Sequence, residues 1–166
     1  MLITKIEVKD VIKIGYITHE NELETKQNLA SKEWARPEFQ DTWQAVEHAV
    51  QRYFWQDTED NEIDLLLEKI EIGYTKPPRI VQLFNFYGYM TINRVTFHCK
   101  LKGVLPGNDE SLTRAVYHMA AEAGKYVKGI RAQQSLWEQE PIGNFQNVEQ
   151  IPETPALPPS MPGQAL

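Results

Sequence analysis

Hydrophobic and polar residues alternate through residues 68–101. Ile70, Ile72 and Tyr74 share one phase; Val95, Phe97, Cys99 and Leu101 share another, with Thr96, His98 and Lys100 between them. A period of two predicts strands with one buried and one wet face. Between them, after Pro77-Pro78, residues 80–89 crowd Phe84, Phe86, Tyr87 and Tyr89 into one further strand. Strict alternation sends Phe84 and Phe86 to one face and Tyr87 and Tyr89 to the other. The first pair is expected to meet the helices. The second is expected on the open face, within an apolar patch of the kind that marks a partner surface.

Near the start, Ile6 and Val8 alternate with Glu7 and Lys9, and Ile12, Ile14 and Tyr16 with Lys13 and Gly15. This predicts a hairpin over residues 2–18 turning at Lys9-Asp10. Residues 19–32 are polar and lack a period, so they read as a loop, with the preceding strand extending into its start. Residues 63–67 are strongly apolar but out of phase with Ile70 and Ile72. A bulge or a separate turn would absorb that slip.

The period changes to that of a helix at two places. Phe39, Trp43, Val46, Val50 and Tyr53 make one apolar stripe over residues 37–55, opened by Pro37 and Glu38 and closed by Arg52. Gln40, Gln44, Glu47, His48 and Gln51 lie off it. Leu112, Val116, Met119, Ala123, Tyr126 or Val127, and Ile130 make a second stripe over 109–129, with Asn108 or Asp109 as N-cap. Gly124 and Gly129 predict a kink or an end, after which helix resumes through residues 131–138. The two helices flank the strand block and would cover its apolar face. The expected architecture is α+β: one domain over 1–138, a mostly antiparallel sheet under two amphipathic helices. Six of the ten prolines fall beyond residue 140, so 139–166 is expected to be a disordered, Pro-rich tail. Its PxxP spacings, such as Pro152 to Pro155, suit aromatic grooves. No internal repeat is visible.

Composition narrows the function classes. The net charge of −6 disfavours broad binding to nucleic acid or anionic membranes, both of which need basic surface. A single cysteine, Cys99, cannot form an internal disulfide, and no apolar run of about 18 residues exists to span a bilayer. The N-terminus lacks the apolar core of a signal peptide, so an intracellular setting is expected. The four histidines stand at no metal-ligand spacing. The acidic run at 57–62 lacks the glycine and the terminal glutamate of a calcium loop. Walker, dinucleotide and nucleophile-elbow patterns are absent. No cofactor, metal or catalytic residue is expected. Cys99 shares the phase of Val95 and Phe97 and reads as core.

Lys5-Ile6-Glu7-Val8-Lys9-Asp10, Ala35-Arg36-Pro37-Glu38-Phe39, Ile70-Glu71-Ile72-Gly73-Tyr74 and Lys125-Tyr126-Val127-Lys128-Gly129-Ile130-Arg131-Ala132-Gln133 occur in that order. The arrangement resembles a family of small uncharacterised proteins encoded by bacteriophages and prophages. The likeness covers roughly residues 4–133 and lapses between Lys100 and Asp109. It implies a phage origin and the cytoplasm of an infected bacterium, and it carries over no catalytic residue.

Two readings follow. The first is a non-enzymatic binding protein, acting on a host or defence protein or as an oligomeric accessory factor, with Tyr87, Tyr89, Arg79 and Arg94 at the partner surface. The alternative is a module for nucleic acid or nucleotides that stacks bases on the aromatic strand and holds phosphates with Arg79, Arg94, Lys100 and Lys102. An enzyme using Cys99 or His98 has the least support.

Overall fold

Two strand trios, each followed by a helix, build the protein. The computed structural model describes residues 1–20, 23–55 and 63–131. The expectations for residues 132–166, the resumed helix beyond Arg131 and the Pro-rich tail, lie outside the described residues. The first trio is β1 (Leu2–Val8), β2 (Ile12–Glu20) and β3 (Leu23–Ser31), followed by α1 (Pro37–Trp55). The second is β4 (Ile63–Tyr74), β5 (Val81–Ile92) and β6 (Val95–Val104), followed by α2 (Glu110–Val127). The strands form one six-stranded sheet in the order β3-β2-β1-β4-β5-β6, antiparallel throughout. The chain is therefore a βββα unit used twice, joined through its inner strands β1 and β4.

That join is short. The ladder between β1 and β4 runs only from Lys5↔Glu71 to Glu7↔Lys69, whereas the ladder between β4 and β5 runs from Ile63 to Tyr74. The helices reinforce the join. Each packs on the inner strand of the other half, α1 on β4 and α2 on β1, and the two pack on each other. Arg36 ahead of α1 donates to Glu122 on α2 at 2.9 Å, which ties the two helices together at a partly buried site.

The core lies between sheet and helices. Ile6, Ile14, Ile70, Phe84 and Phe86 supply the sheet side; Val46, Val50, Leu112, Val116, Met119 and Tyr126 supply the helical side, all essentially inaccessible. Both stripes expected from the sequence are the buried faces of their helices, except that Tyr53 is only partly buried and Ile130 lies exposed beyond the end of α2; Trp43 and Cys99 are buried with them. Asp109 is the α2 N-cap, its carboxylate accepting from Leu112 N–H at 2.7 Å. The helix ends at Val127, just before Gly129 turns the chain at φ +86°.

Three local features depart from the sequence reading or sharpen it. The stretch read as a loop is largely strand: His19 continues β2, and 23–31 form the outer strand β3, paired along its whole length. An outer strand exposed on both faces carries no hydrophobic period, which is why it was illegible. The phase slip after Leu67 is a bulge inside one continuous strand: Leu67 opposes Gly88, Lys69 opposes Tyr87, and Glu68 is the extra residue. Val95 and Phe97 share the face of Cys99 but stay largely exposed, because outer strand β6 has a sheet neighbour on one side only.

Candidate functional site

Among the described residues, the short β1–β4 ladder leaves the N-terminal half of β4, residues 63–68, without a strand partner on the side facing β1. Such an edge carries backbone donors and acceptors that need satisfying. Two α1 side chains do part of this. Glu47 accepts from Leu67 N–H at 2.8 Å, and Gln51 Nε2 donates to the Ile63 carbonyl at 2.6 Å. They follow one another at i, i+4 on the polar side of α1, so one helix face serves the strand edge. Burial pushes the Glu47 carboxyl above its usual range, against the opposing pull of the Leu67 N–H.

A cleft of about 640 Å³ opens beside this edge. One wall is the turn from β1 to β2, with Val8, Lys9, Asp10 and Ile12. The opposite wall is α1, with Gln40, Gln44 and Glu47 at its rim and Phe39 and Trp43 deeper. Leu66 and Leu67 of β4 and the segment 32–35 complete it. The charges are mixed: Lys9 pairs with Glu68 at 3.1 Å, and Glu33 pairs with Arg131.

Trp34 stands in the lining and is 79% exposed. Its neighbours are pinned. Ala35 is buried, and the Glu33 carbonyl accepts from the Tyr126 hydroxyl at 2.5 Å. The end of α2 thereby anchors the backbone next to the tryptophan. Leu66, on the open side of the sheet at the same edge, is 61% exposed, and its cross-strand partner Tyr89 is 40% exposed. Large apolar groups thus lie in water on both sides of the unpaired strand segment.

The four residues singled out from the sequence occupy three places. Tyr87 and Tyr89 are on the open sheet face, as alternation required, opposite Lys69 and Leu66. The surroundings of Tyr87 are charged. Its hydroxyl donates to Glu71 at 2.8 Å, and Lys69 Nζ lies 3.8 Å from its ring centroid while pairing with Glu71 at 2.8 Å. Burial raises the Glu71 carboxyl, but the hydrogen bonds from Lys69 and Tyr87 outweigh it and hold the group below its usual range. Glu7 pairs with Lys5 two residues away on β1 at 3.8 Å and with Lys13 on the neighbouring strand β2 at 3.7 Å. Tyr89 stacks edge-on against His98, centroids 5.3 Å apart.

Arg79 lies within the β4–β5 connection beside a smaller hollow of about 320 Å³. There it is clamped: its Nε donates to Glu24 at 3.0 Å, a second nitrogen pairs with the same carboxylate, and a third contact goes to the Thr75 carbonyl at 2.9 Å. Arg94 sits in the two-residue β5–β6 turn with Asn93, both at positive φ. Arg79 and Arg94 flank opposite ends of β5 (Val81–Ile92), so at about 3.3 Å per residue they are about 40 Å apart and cannot share a phosphate.

The sequence reading missed Trp34 and Glu47. Trp34 is a lone tryptophan in the polar stretch Ser31-Lys32-Glu33-Trp34, in phase with neither neighbouring element. An apolar residue with no assigned face was the available signal. Glu47 gave none, because only tertiary structure brings it to Leu67. Cys99 is buried, and burial pushes its thiol above the usual range, which keeps it protonated and weakly nucleophilic. Among the described residues no group of His, Cys, Asp and Glu could hold a metal ion, and no helix is long and apolar enough to cross a membrane. Comparison of the chain with protein-family models, with curated proteins and with solved structures finds no match.

Proposed function

We propose that this is a non-enzymatic binding protein that takes a segment of another protein into the cleft between α1, the β1–β2 turn and the β4 edge. The observation that carries this is Trp34, an exposed tryptophan on a pinned stretch of backbone that lines the same cleft as Phe39 and Trp43. Tryptophans in such settings dominate binding energies at protein interfaces. The cleft volume is that of a pocket able to enclose one or two large side chains. On the same reading the protein works in the cytoplasm of an infected bacterium, against a host or defence protein. The ordered motifs of residues 4–133 support that setting.

Nucleic-acid binding through the aromatic strand is the competing proposal. Against it stand the pairing of Arg79 with Glu24, of Lys69 with Glu71, and of Lys5 and Lys13 with Glu7. The lysine over the Tyr87 ring also occupies a face on which a base would stack.

The test is selection of a displayed random peptide library on the full chain. Enriched peptides are expected to carry a large apolar anchor. They are expected to lose about 2 kcal/mol or more of affinity on Trp34→Ala, and to weaken on Gln44→Arg, which crowds the rim. Failure to enrich peptides, or enriched peptides indifferent to both substitutions, overturns the reading. Tight binding of a single-stranded oligonucleotide with a steep salt dependence favours the competitor.

A further inference from the structure

We propose that the partner binds by strand addition: an extended segment of it pairs with residues 63–67 of β4, in line with β1, and completes the sheet where β1 stops. This rests on the reading of the cleft as a polypeptide site and specifies how the polypeptide is held.

The backbone carries the argument. In a strand, alternate residues present their N–H and C=O to the same edge. Leu67 N–H and the Ile63 carbonyl both point away from β5, since α1 side chains meet them there. Leu65, between them, is directed to the same edge. The unpaired segment is about as long as an average strand. Among the described residues, two side chains meet this edge, at two points. An extended main chain matches it at every second residue, and no other ligand class offers that repeat.

The side-chain environment fits the same occupant. A strand laid along this edge points its residues alternately to the two faces of the sheet. One set enters the cleft against Phe39, Trp43 and Trp34. The other lies beside Leu66 and Tyr89, the exposed apolar pair on the open face. The expected partner segment is about five residues long, apolar on both faces at its centre, and free of proline at the positions that donate. Pairing requires Glu47 to release Leu67 N–H. The carboxylate therefore acts as a competitor that occupies the edge while no partner is bound.

The experiment uses the peptides enriched on the full chain, resynthesised with one backbone N-methyl group at each position in turn. Strand addition predicts weakening of about tenfold or more at every second residue, and little change between. It also predicts that Glu47→Ala, which removes the competitor, tightens binding several-fold, and that Gln51→Ala does so where Glu47→Ala compromises folding. Peptides that tolerate N-methylation everywhere but lose binding on Trp34→Ala overturn strand addition and leave the cleft reading standing. Weaker binding to both α1 variants also overturns it, because the side chains would then be contacts and not competitors. Failure to enrich any cleft-dependent peptide overturns both.

Discussion

Trp43 joins the two roles of α1. It is buried in the core and also reaches the floor of the cleft. Trp43→Ala should cost about 3–5 kcal/mol, a large part of the 5–15 kcal/mol typical of a domain. Chemical denaturation of parent and variant reads it directly. Glu47 and Glu122 make opposite predictions about acid. Burial raises Glu47, so the folded chain binds its proton more readily than the unfolded chain. Its contribution to stability falls as pH rises from the ordinary carboxylate value of 4.5 through the raised one. Glu47→Gln should therefore gain on the parent as pH is raised from about 4 to 7. Burial also raises Glu122, but hydrogen bonds from Lys125 and Arg36 prevail and lower it. Its contribution is present above the unfolded value and lost as pH falls through the folded one. Glu122→Gln should be weaker than the parent at neutral pH, with the gap closing in acid. Thermal melts across that range decide both signs.

Among the elements, the bulge of β4 makes the sharpest demand. A Cβ on Gly88 would stand 2.2 Å from the Leu66 carbonyl oxygen and 3.0 Å from Leu67 Cα, so backbone and not a pliant side chain blocks it. Gly88→Ala should destabilise by about 1–3 kcal/mol or more. Its melting temperature should fall while that of Gly107→Ala, which meets nothing within 4 Å but sits at φ +91°, reports backbone strain alone. The β5–β6 turn makes the converse prediction. Arg94 holds φ +70°, a conformation that costs an L-residue about 1–2 kcal/mol. Arg94→Gly should raise stability by up to about that amount. The same elements show what the chain made legible. The inner strands and both helices bury one face each, so their periods of two and of 3.6 announced them, down to the slip at Leu67. The outer strand β3 buries neither face and announced nothing. The doubled βββα plan was also invisible, because a shared topology needs only matching patterns of burial and not matching residues. The two halves share no sequence repeat while sharing a topology. The open face was legible in direction only. Alternation placed Tyr87 and Tyr89 there, but the Lys69–Glu71–Tyr87 arrangement depends on cross-strand register, which no local pattern encodes.

At the scale of the whole molecule, the two halves meet along a ladder too short for the strands that make it. The sheet is held across that line by helices packed on opposite inner strands, and the mismatch leaves a stretch of β4 to be served by side chains. The cleft, the outward tryptophan and the unpaired edge are thus one consequence of how the halves are joined. On the open face the charges around Tyr87 and Glu7 are paired, while Leu66 and Tyr89 at its edge stay exposed. The net charge of −6 makes it a poor long-range attractor for polyanions. The proposed binding site therefore lies at the junction of the halves and not on the aromatic strand. The most direct test is amide and indole chemical-shift mapping of the full chain during titration with a display-selected peptide. Shifts concentrated at Val8, Trp34, Gln44 and Leu67 are predicted. Shifts confined to Tyr87, His98 and Lys100 on the open face would contradict the account.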